Sequence, residues 1–461
     1  MLMKEDTIAA ISTPMGTGGV GMVRISGPDA REVADRIFTS RRGTIAAAAG
    51  YTALYGWVYR PKDGGRKEKI DEAIALVFAA PFSYTGEDVV ELSVHGGVYL
   101  VREALRAALA AGARMAEPGE FTRRAYINGK LDLTQAESVM QLIGAAGEDA
   151  MRAALYGREG ALSRRVENLE SRLLSTAAAL AVWSDYPDED MPALEEGTLE
   201  ADLFSIEEEL KALLDTYDSG RILHEGVQTV IVGRPNVGKS TLMNLLAGCQ
   251  RSIVTPVAGT TRDVVEEDVF LGGVRLRLAD TAGLRQTEDL VEALGVQRTR
   301  ERMETAGLIL AVFDASRPLD LEDKELLSLL SGRPAVAVIN KTDLPVLLDI
   351  TAIHACGAPV VQISAAAGEG LSSLAQAVEQ AVGLSALDPA AGVLANERQR
   401  NCVRSASSAL TEALSALRAG TTLDAVGVCL DDALSSLLSL TGRRVTQEVA
   451  DEVFRRFCVG K

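Results

Sequence analysis

The stretch Thr229-Val-Ile-Val-Gly-Arg-Pro-Asn-Val-Gly-Lys-Ser240 decides how this chain is read. A short β-branched run stops at Gly233, four residues intervene, and Gly238-Lys239-Ser240 opens the helical pattern Thr241-Leu-Met-Asn-Leu-Leu246. This is G-x-x-x-x-G-K-[ST] with a strand before it and a helix after it, the setting the motif requires. Its glycines let successive backbone N–H groups turn inward around a phosphate. The helix N-terminus adds a partial positive charge, Lys239 a full one, and Ser240 a hydroxyl for Mg²⁺. A bound nucleoside triphosphate is expected, contacted along Asn236, Val237, Gly238, Lys239, Ser240 and Thr241.

Working outward, residues 220 to about 385 alternate strand and helix signals, as a parallel sheet requires. Further stretches follow in the order of a Ras-like GTPase. Gly259-Thr-Thr-Arg-Asp263 reads as a loop whose Thr hydroxyl completes a Mg²⁺ shell, and further GTP contacts are expected at Thr255, Pro256, Val257, Ala258, Gly259, Thr260 and Thr261. The strand Arg275 to Asp280 leads into Asp280-Thr281-Ala282-Gly283, where the carboxylate holds Mg²⁺ through water and Gly283 N–H reaches a γ-phosphate. Ala335 to Ile339 runs into Asn340-Lys341-Thr342-Asp343. The Asp343 carboxylate accepts from guanine N1–H and the 2-amino group, a donor pair that adenine lacks. Leaving it unpaired supports discrimination on the order of 10⁴. Ser364-Ala365 is placed on the guanine O6 side, so GTP is the expected substrate. Leu284 stands where Ras-like proteins carry the glutamine that orients the attacking water. Another group must do that work. Glu292 is a candidate, with an ordinary surface acid as the alternative, and a monovalent cation held by Asn236 and the 255–259 backbone would supply the missing positive charge.

Composition bounds the remainder. The chain has 461 residues, 47% hydrophobic but only 4% aromatic, so its cores draw on Ala, Leu and Val, which favours helices and parallel sheet. A net charge of −17 argues against nonspecific polyanion binding; RNA contact requires a local basic patch or a partner that supplies one. Five single cysteines with no C-x-x-C, and only one nearby His354/Cys356 pair, indicate neither a disulfide framework nor a zinc site. A cytoplasmic protein without signal peptide or membrane span is expected.

Residues 1–130 mix strand and helix signals: strands at Thr7 to Ile11, Val20 to Ile25, Ala73 to Phe78 and Val89 to Val94, helices at Asp29 to Ile37 and Val98 to Ala111. Residues 131–219 read as helical over Thr134 to Ala145, Ala150 to Val182 and Leu199 to Asp218, and 386–461 are helical again. The fold class expected is α/β and α: an N-terminal α+β domain, a helical bundle in two parts, and a Ras-like P-loop domain over 220–385 inserted between them. The acidic turn Asp185-Tyr-Pro-Asp-Glu-Asp190 lacks the spacing and glycine of a calcium loop and reads as a solvated charge run.

Outside the nucleotide segment three stretches are distinctive: Gly19 to Gly27, Tyr84-Thr-Gly-Glu-Asp-Val-Val-Glu-Leu92, and Pro118-Gly-Glu-Phe-Thr-Arg-Arg-Ala-Tyr-Ile-Asn-Gly-Lys130 continuing to Glu137, with a terminal Phe457-Cys-Val-Gly-Lys461. On these the whole chain resembles the MnmE (TrmE) family, GTPases of tRNA wobble-uridine modification. The resemblance implies a homodimer formed through the N-terminal domain, which binds 5-formyl- or 5,10-methylene-tetrahydrofolate. Arg24, Glu91, Lys130 and Lys461 match the folate contacts; physically, cations meet the folate carboxylates and an acid takes pterin N–H groups. It also implies K⁺ at Asn236, Thr255, Val257 and Thr260, replacing an arginine finger; Mg²⁺ at Ser240 and Thr261; and Glu292 as the acid that positions water. The family acts with the FAD-dependent MnmG in a heterotetramer to install an aminomethyl-type group at C5 of the wobble uridine. Given the chain's charge, MnmG is expected to present the tRNA. Cys458 matches the family's near-terminal cysteine, a catalytic candidate whose alternative is a buried structural thiol; as a prenylation box the last four residues fit poorly.

Two readings from other classes compete. An Era-type ribosome-assembly switch would append a basic G-x-x-G RNA module after the G domain, and none is visible after 385. A membrane-remodelling GTPase would need a basic amphipathic helix or paddle, which is also not visible.

Overall fold

The structure, a computed structural model, describes residues 6–61, 67–145, 147–185, 196–248, 267–278, 303–385 and 387–461. It contains two compact units, Met1–Met140 with Leu438–Lys461 and Gln141–Leu437.

The first unit is built on a seven-stranded sheet: β1 (Ile8–Ile11), β2 (Val20–Ser26), β3 (Phe38–Ser40), β4 (Thr52–Pro61), β5 (Lys67–Phe78), β6 (Val89–His95) and β7 (Arg114–Met115). Its order is β3-β4-β5-β6-β2-β1-β7, antiparallel throughout except at β1/β7. Alternation along each strand sorts the two faces. Val23, Ile25, Val58, Ala75, Val77, Val90 and Leu92 are buried with Val33 and Ile37 of helix Ala30–Ile37 and Val101, Ala104 and Ala108 of helix Val98–Ala110. The opposite face carries Arg24 and Glu91, which are register partners across β2 and β6.

The chain's last residues complete this unit. Phe454 and Phe457 pack on Leu133 and Ala136 with Tyr126 beside them, and Tyr126 OH donates to Gly442 O at 2.6 Å. Ser12 Oγ and Arg24 Nη1 each donate to Gly460 O at 3.2 Å. Position 460 has to be glycine: φ is +96°, and a Cβ would lie 2.2 Å from Ile11 O.

The second unit joins helices to a second sheet. A single helix expected over 150–182 is instead two, Glu148–Arg158 and Ala161–Asp185, broken at Gly160 with φ +85°. The helix expected to reach Asp218 stops earlier, at Leu214, and Tyr217–Glu225 follows as its own element. That element feeds a six-stranded sheet: β8 (Val227–Val232), β9 (Glu267–Leu271), β10 (Val274–Leu278), β11 (Leu308–Asp314), β12 (Ala335–Asn340) and β13 (Val360–Gln362), in the order β13-β12-β11-β8-β10-β9. All neighbours are parallel except the β9/β10 pair. The apolar runs of β11 and β12 are buried along their whole length, as strands covered on both faces must be. Val232, the end of β8, pairs with Ala311 of β11, and β11 runs on to Asp314, which is in register with Asn340 at the end of β12. Open α/β sheets bind ligands beyond such C-terminal ends. Among the described residues no helix is long and apolar enough to cross a membrane.

Candidate functional site

β8 runs out at Val232, and the loop turns by way of Gly233 (φ +147°), Asn236 (φ +66°) and Gly238 (φ +98°) into helix Lys239–Gly248. The two glycines are required by space as well as by φ. A Cβ at 233 would lie 2.4 Å from Val312 O, and one at 238 would lie 2.2 Å from Asn340 Nδ2. Lys239 folds back over this loop, its Nζ donating to Gly233 O and Arg234 O at 2.7 Å each. Burial pushes its ammonium below the usual lysine range. Asn236, Ser240 and Thr241 are exposed at the mouth, while Val237 is buried beneath it. Arg234 anchors the loop laterally, pairing with Asp320 at 2.7 Å and Asp323 at 3.2 Å at the start of helix Leu321–Leu330.

Asn340, 2% exposed at the end of β12, joins the remaining pieces. Its Nδ2 donates to Val237 O at 2.9 Å, and its Oδ1 accepts from Ala365 N at 3.0 Å. One carboxamide thus ties the phosphate loop to the loop after β13. Lys341, also left-handed at φ +65°, extends its Nζ to Asn236 O at 2.6 Å and Asp314 Oδ2 at 2.7 Å. Asp343 is exposed, with Oδ1 accepting from the buried Ser364 Oγ at 2.6 Å. The structure therefore brings together Asn236 to Thr241, Asn340, Lys341, Asp343, Ser364 and Ala365. The expected contacts Thr255 to Thr261 and Asp280 to Gly283, together with Leu284 and Glu292, lie outside the described residues.

Nothing in the sequence around Asp314 marks it as part of this site. An acid closing a buried strand reads as a cap, and nothing local says that Lys341 will reach it. Burial alone would raise its carboxyl, but Lys341 and the Ser316 hydroxyl and amide hold it below the usual range.

The first unit holds a second constellation. Arg24 Nε donates to Glu91 Oε1 at 2.8 Å, and its guanidinium lies 5.5 Å from the Tyr84 ring centroid and 5.6 Å from that of Phe121. Lys461 Nζ lies 5.7 Å from the same Tyr84 ring. Arg24, which holds Glu91, and Lys461 thus meet around one aromatic side chain, a pairing of cation and ring that is itself attractive. Lys130 is exposed and reaches the same loop from its other end, Nζ to Pro81 O at 3.1 Å. Tyr84 and Phe121 lie in quoted stretches but carried no assigned role. Only the folded unit reveals that both stack on Arg24. Cys458 is exposed, which removes the buried-thiol alternative, and its carbonyl accepts from Gly119 N at 3.3 Å.

Family models match nearly the whole chain: GTP-binding protein TrmE N-terminus over residues 7–130 and MnmE helical domain over 133–458. Among curated proteins, the tRNA modification GTPase MnmE of Symbiobacterium thermophilum is 46% identical, and that of Heliobacterium modesticaldum 44%, each covering 100% of both chains. The Bacillus subtilis protein of the same name is 41% identical over 99% of this chain and 100% of its own. Among solved structures, the G domain of the T. maritima FeoB iron transporter covers 34% of this chain and 98% of its own at 25% identity, with a TM-score of 0.26, too low to add to the assignment. On the two matching models and these full-length identities, the chain belongs to the MnmE (TrmE) family of tRNA modification GTPases.

Proposed function

We propose that this chain is a K⁺-activated GTP hydrolase that works as a homodimer with an FAD-dependent partner of the MnmG type. Together they modify C5 of the wobble uridine of certain tRNAs in the cytoplasm, using a tetrahydrofolate one-carbon donor. The observation that carries the guanine reading is Asn340, which holds the phosphate loop at Val237 and the base loop at Ala365 with one side chain. In this reading residues 220–385 hold the nucleotide, 1–130 the folate and the dimer contact, and 131–219 with 386–461 form the helical domain.

The chain's own residues divide the work. Lys239 and the loop amides meet the phosphates, while Asp343 and Ser364 meet the base. Ser240 and Thr261 would hold Mg²⁺. Asn236 fits a monovalent-cation ligand: its left-handed backbone turns it to the mouth of the loop, and among the described residues no hydrogen bond occupies its carboxamide. Thr255, Val257 and Thr260 would complete that set. K⁺ bound there supplies the positive charge that an arginine finger supplies in other GTPases. Glu292 orients the water in place of the missing glutamine. In the first unit, two cations over Tyr84 and the Glu91 carboxylate paired with one of them suit a flat ligand with carboxylate tails. Cys458, exposed three residues before Lys461, is the candidate for covalent chemistry beside that ligand.

Two measurements test this reading. GTP turnover should rise steeply with K⁺ and little with Na⁺, and equal rates in the two salts would remove the potassium assignment. Wobble-uridine nucleosides should lose their C5 group in a strain lacking the gene, and normal nucleosides would remove the tRNA assignment.

A further inference from the structure

Asn236 and Lys341 are two of the three non-glycine residues with a left-handed backbone among those described, at φ +66° and +65°. They touch each other, Lys341 Nζ donating to Asn236 O at 2.6 Å. A side chain in that region is strained and persists only where its surroundings over-determine it. Asp314 is what holds Lys341, its Oδ2 accepting from Nζ at 2.7 Å. The carboxylate cannot swing, because Oδ1 accepts from Ser316 N at 2.9 Å and Ser316 Oγ at 2.7 Å. Its position is set by the sheet, since Asp314 ends β11 in register with Asn340 and is 8% exposed. The exposed Arg317 is a second cation nearby, with Nε 4.0 Å from Oδ2.

We propose that Asp314 is a positioning residue which, through Lys341, sets the conformation of Asn236 and so couples guanine-nucleotide affinity to monovalent-cation affinity. Lys341 follows Asn340 and lies two residues before Asp343, so whatever moves its ammonium moves the base loop at one end and the phosphate loop at the other. The cation arm of this inference rests on the potassium reading above.

Asp314→Asn keeps the side chain's shape and removes its charge. Three quantities are measured on the full chain: affinity for a fluorescent GDP analogue in sodium buffer, the K⁺ concentration giving half-maximal GTP turnover, and thermal stability. The expected results are a Kd for the analogue about tenfold higher, from loss of a charge-assisted hydrogen bond, and a K⁺ midpoint about fivefold higher. Turnover at saturating GTP and K⁺ falls less than KM rises. Asp314→Glu recovers part of both shifts. Ser316→Ala, which loosens the carboxylate without removing it, shifts both in the same direction by less, and serves if the first variant folds poorly. An unchanged K⁺ midpoint in a variant with weakened nucleotide binding overturns the coupling, and so does a fall in thermal stability alone. A wild-type chain indifferent to K⁺ overturns the potassium reading instead, and the analogue affinity then judges whether Asp314 acts on Lys341.

Discussion

Asn340 Nδ2 reaches Val237 O at 2.9 Å through space that position 238 leaves open only by lacking a side chain, since a Cβ there would stand 2.2 Å from that same Nδ2. The contact joins two motifs 103 residues apart, and it makes the second glycine of the phosphate loop answer to the base-recognition strand as well as to the phosphate.

Gly238→Ala is therefore expected to fail twice. The φ of +98° is hostile to a side chain, and the methyl evicts the Asn340 carboxamide. Losing that bond leaves Val237 O and Ala365 N–H short of partners in a buried place, costing about 1–3 kcal/mol each. GTP affinity should fall by at least about a hundredfold, read by equilibrium binding of a fluorescent analogue. Affinity within about threefold of wild type would show that the loop re-routes around the methyl.

Asp343→Asn tests the base assignment. With Oδ1 held by Ser364 Oγ, the carboxylate is fixed as an acceptor for guanine's N1–H and 2-amino group. A carboxamide presents an NH₂ instead, which suits a base bearing a C2 carbonyl. GTP affinity should drop on the order of 10³ while xanthosine triphosphate becomes the better ligand. Competition between the two nucleotides measures this, and a uniform loss for both would argue that Asp343 holds the loop and does not read the base.

Legibility followed the range of the interaction. The phosphate loop is readable because its strand, turn and helix are contiguous, and β12 because its apolar run leads straight into Asn340-Lys341-Thr342-Asp343. β4 is not legible: Gly56 interrupts its apolar alternation, yet it is where the strand crosses Thr39 O, 2.2 Å from a would-be Cβ. β7 is two residues long and exists only because β1 pairs with it. The break at Gly160 was hidden because Ala- and Leu-rich periodicity continues on both sides. At the sites, Lys239, Asn340 and Asp343 were legible as motif letters, whereas Asp314 was not, because its partner Lys341 lies 27 residues away. Arg24 and Glu91 were named by resemblance; their pairing needed the β2/β6 register.

Phe454→Ala should release the C-terminal segment from the first unit. Phe454 is 2% exposed and lies 5.8 Å from Tyr126 and 5.4 Å from Phe457, centroid to centroid. Truncating such a ring costs about 3–5 kcal/mol. The tail that carries Gly460 and Lys461 to Arg24 and Tyr84 then loses its anchor. Limited proteolysis should cut near residue 445 in the variant and not in the wild type, while affinity for GDP is retained. An uncut tail would place the anchoring in the Gly460 contacts.

The acid limit of the first unit should be set by one half-buried ionic cluster centred on Arg124. Arg124, whose side chain is 6% exposed, pairs with Asp6 at 2.7 Å, Glu87 at 3.1 Å and Glu120 at 3.1 Å, and Arg114 adds bonds to Glu120 at 2.6 Å and Asp6 at 2.8 Å. Burial alone would raise the Asp6 and Glu120 carboxyls. The two arginines, with Glu117 N–H on Glu120, outweigh it and hold both below their ordinary 3.8 and 4.5. Carboxyls depressed in the folded state bind fewer protons than in the unfolded chain, so their stabilisation is full above those ordinary values. It is lost as pH falls below them, through the depressed folded values. Arg124→Met removes the central cation and leaves three acids with less compensation, which should destabilise the unit by on the order of 3 kcal/mol at neutral pH. It should also move the acid transition to higher pH, because Asp6 and Glu120 then lose a cation that holds them below their ordinary values. Of the two tryptophans, Trp57 lies in this unit, so its fluorescence in a Trp183→Phe background reports the unit alone. An acid midpoint unmoved by Arg124→Met would mean that Arg114 by itself keeps Asp6 and Glu120 ionised.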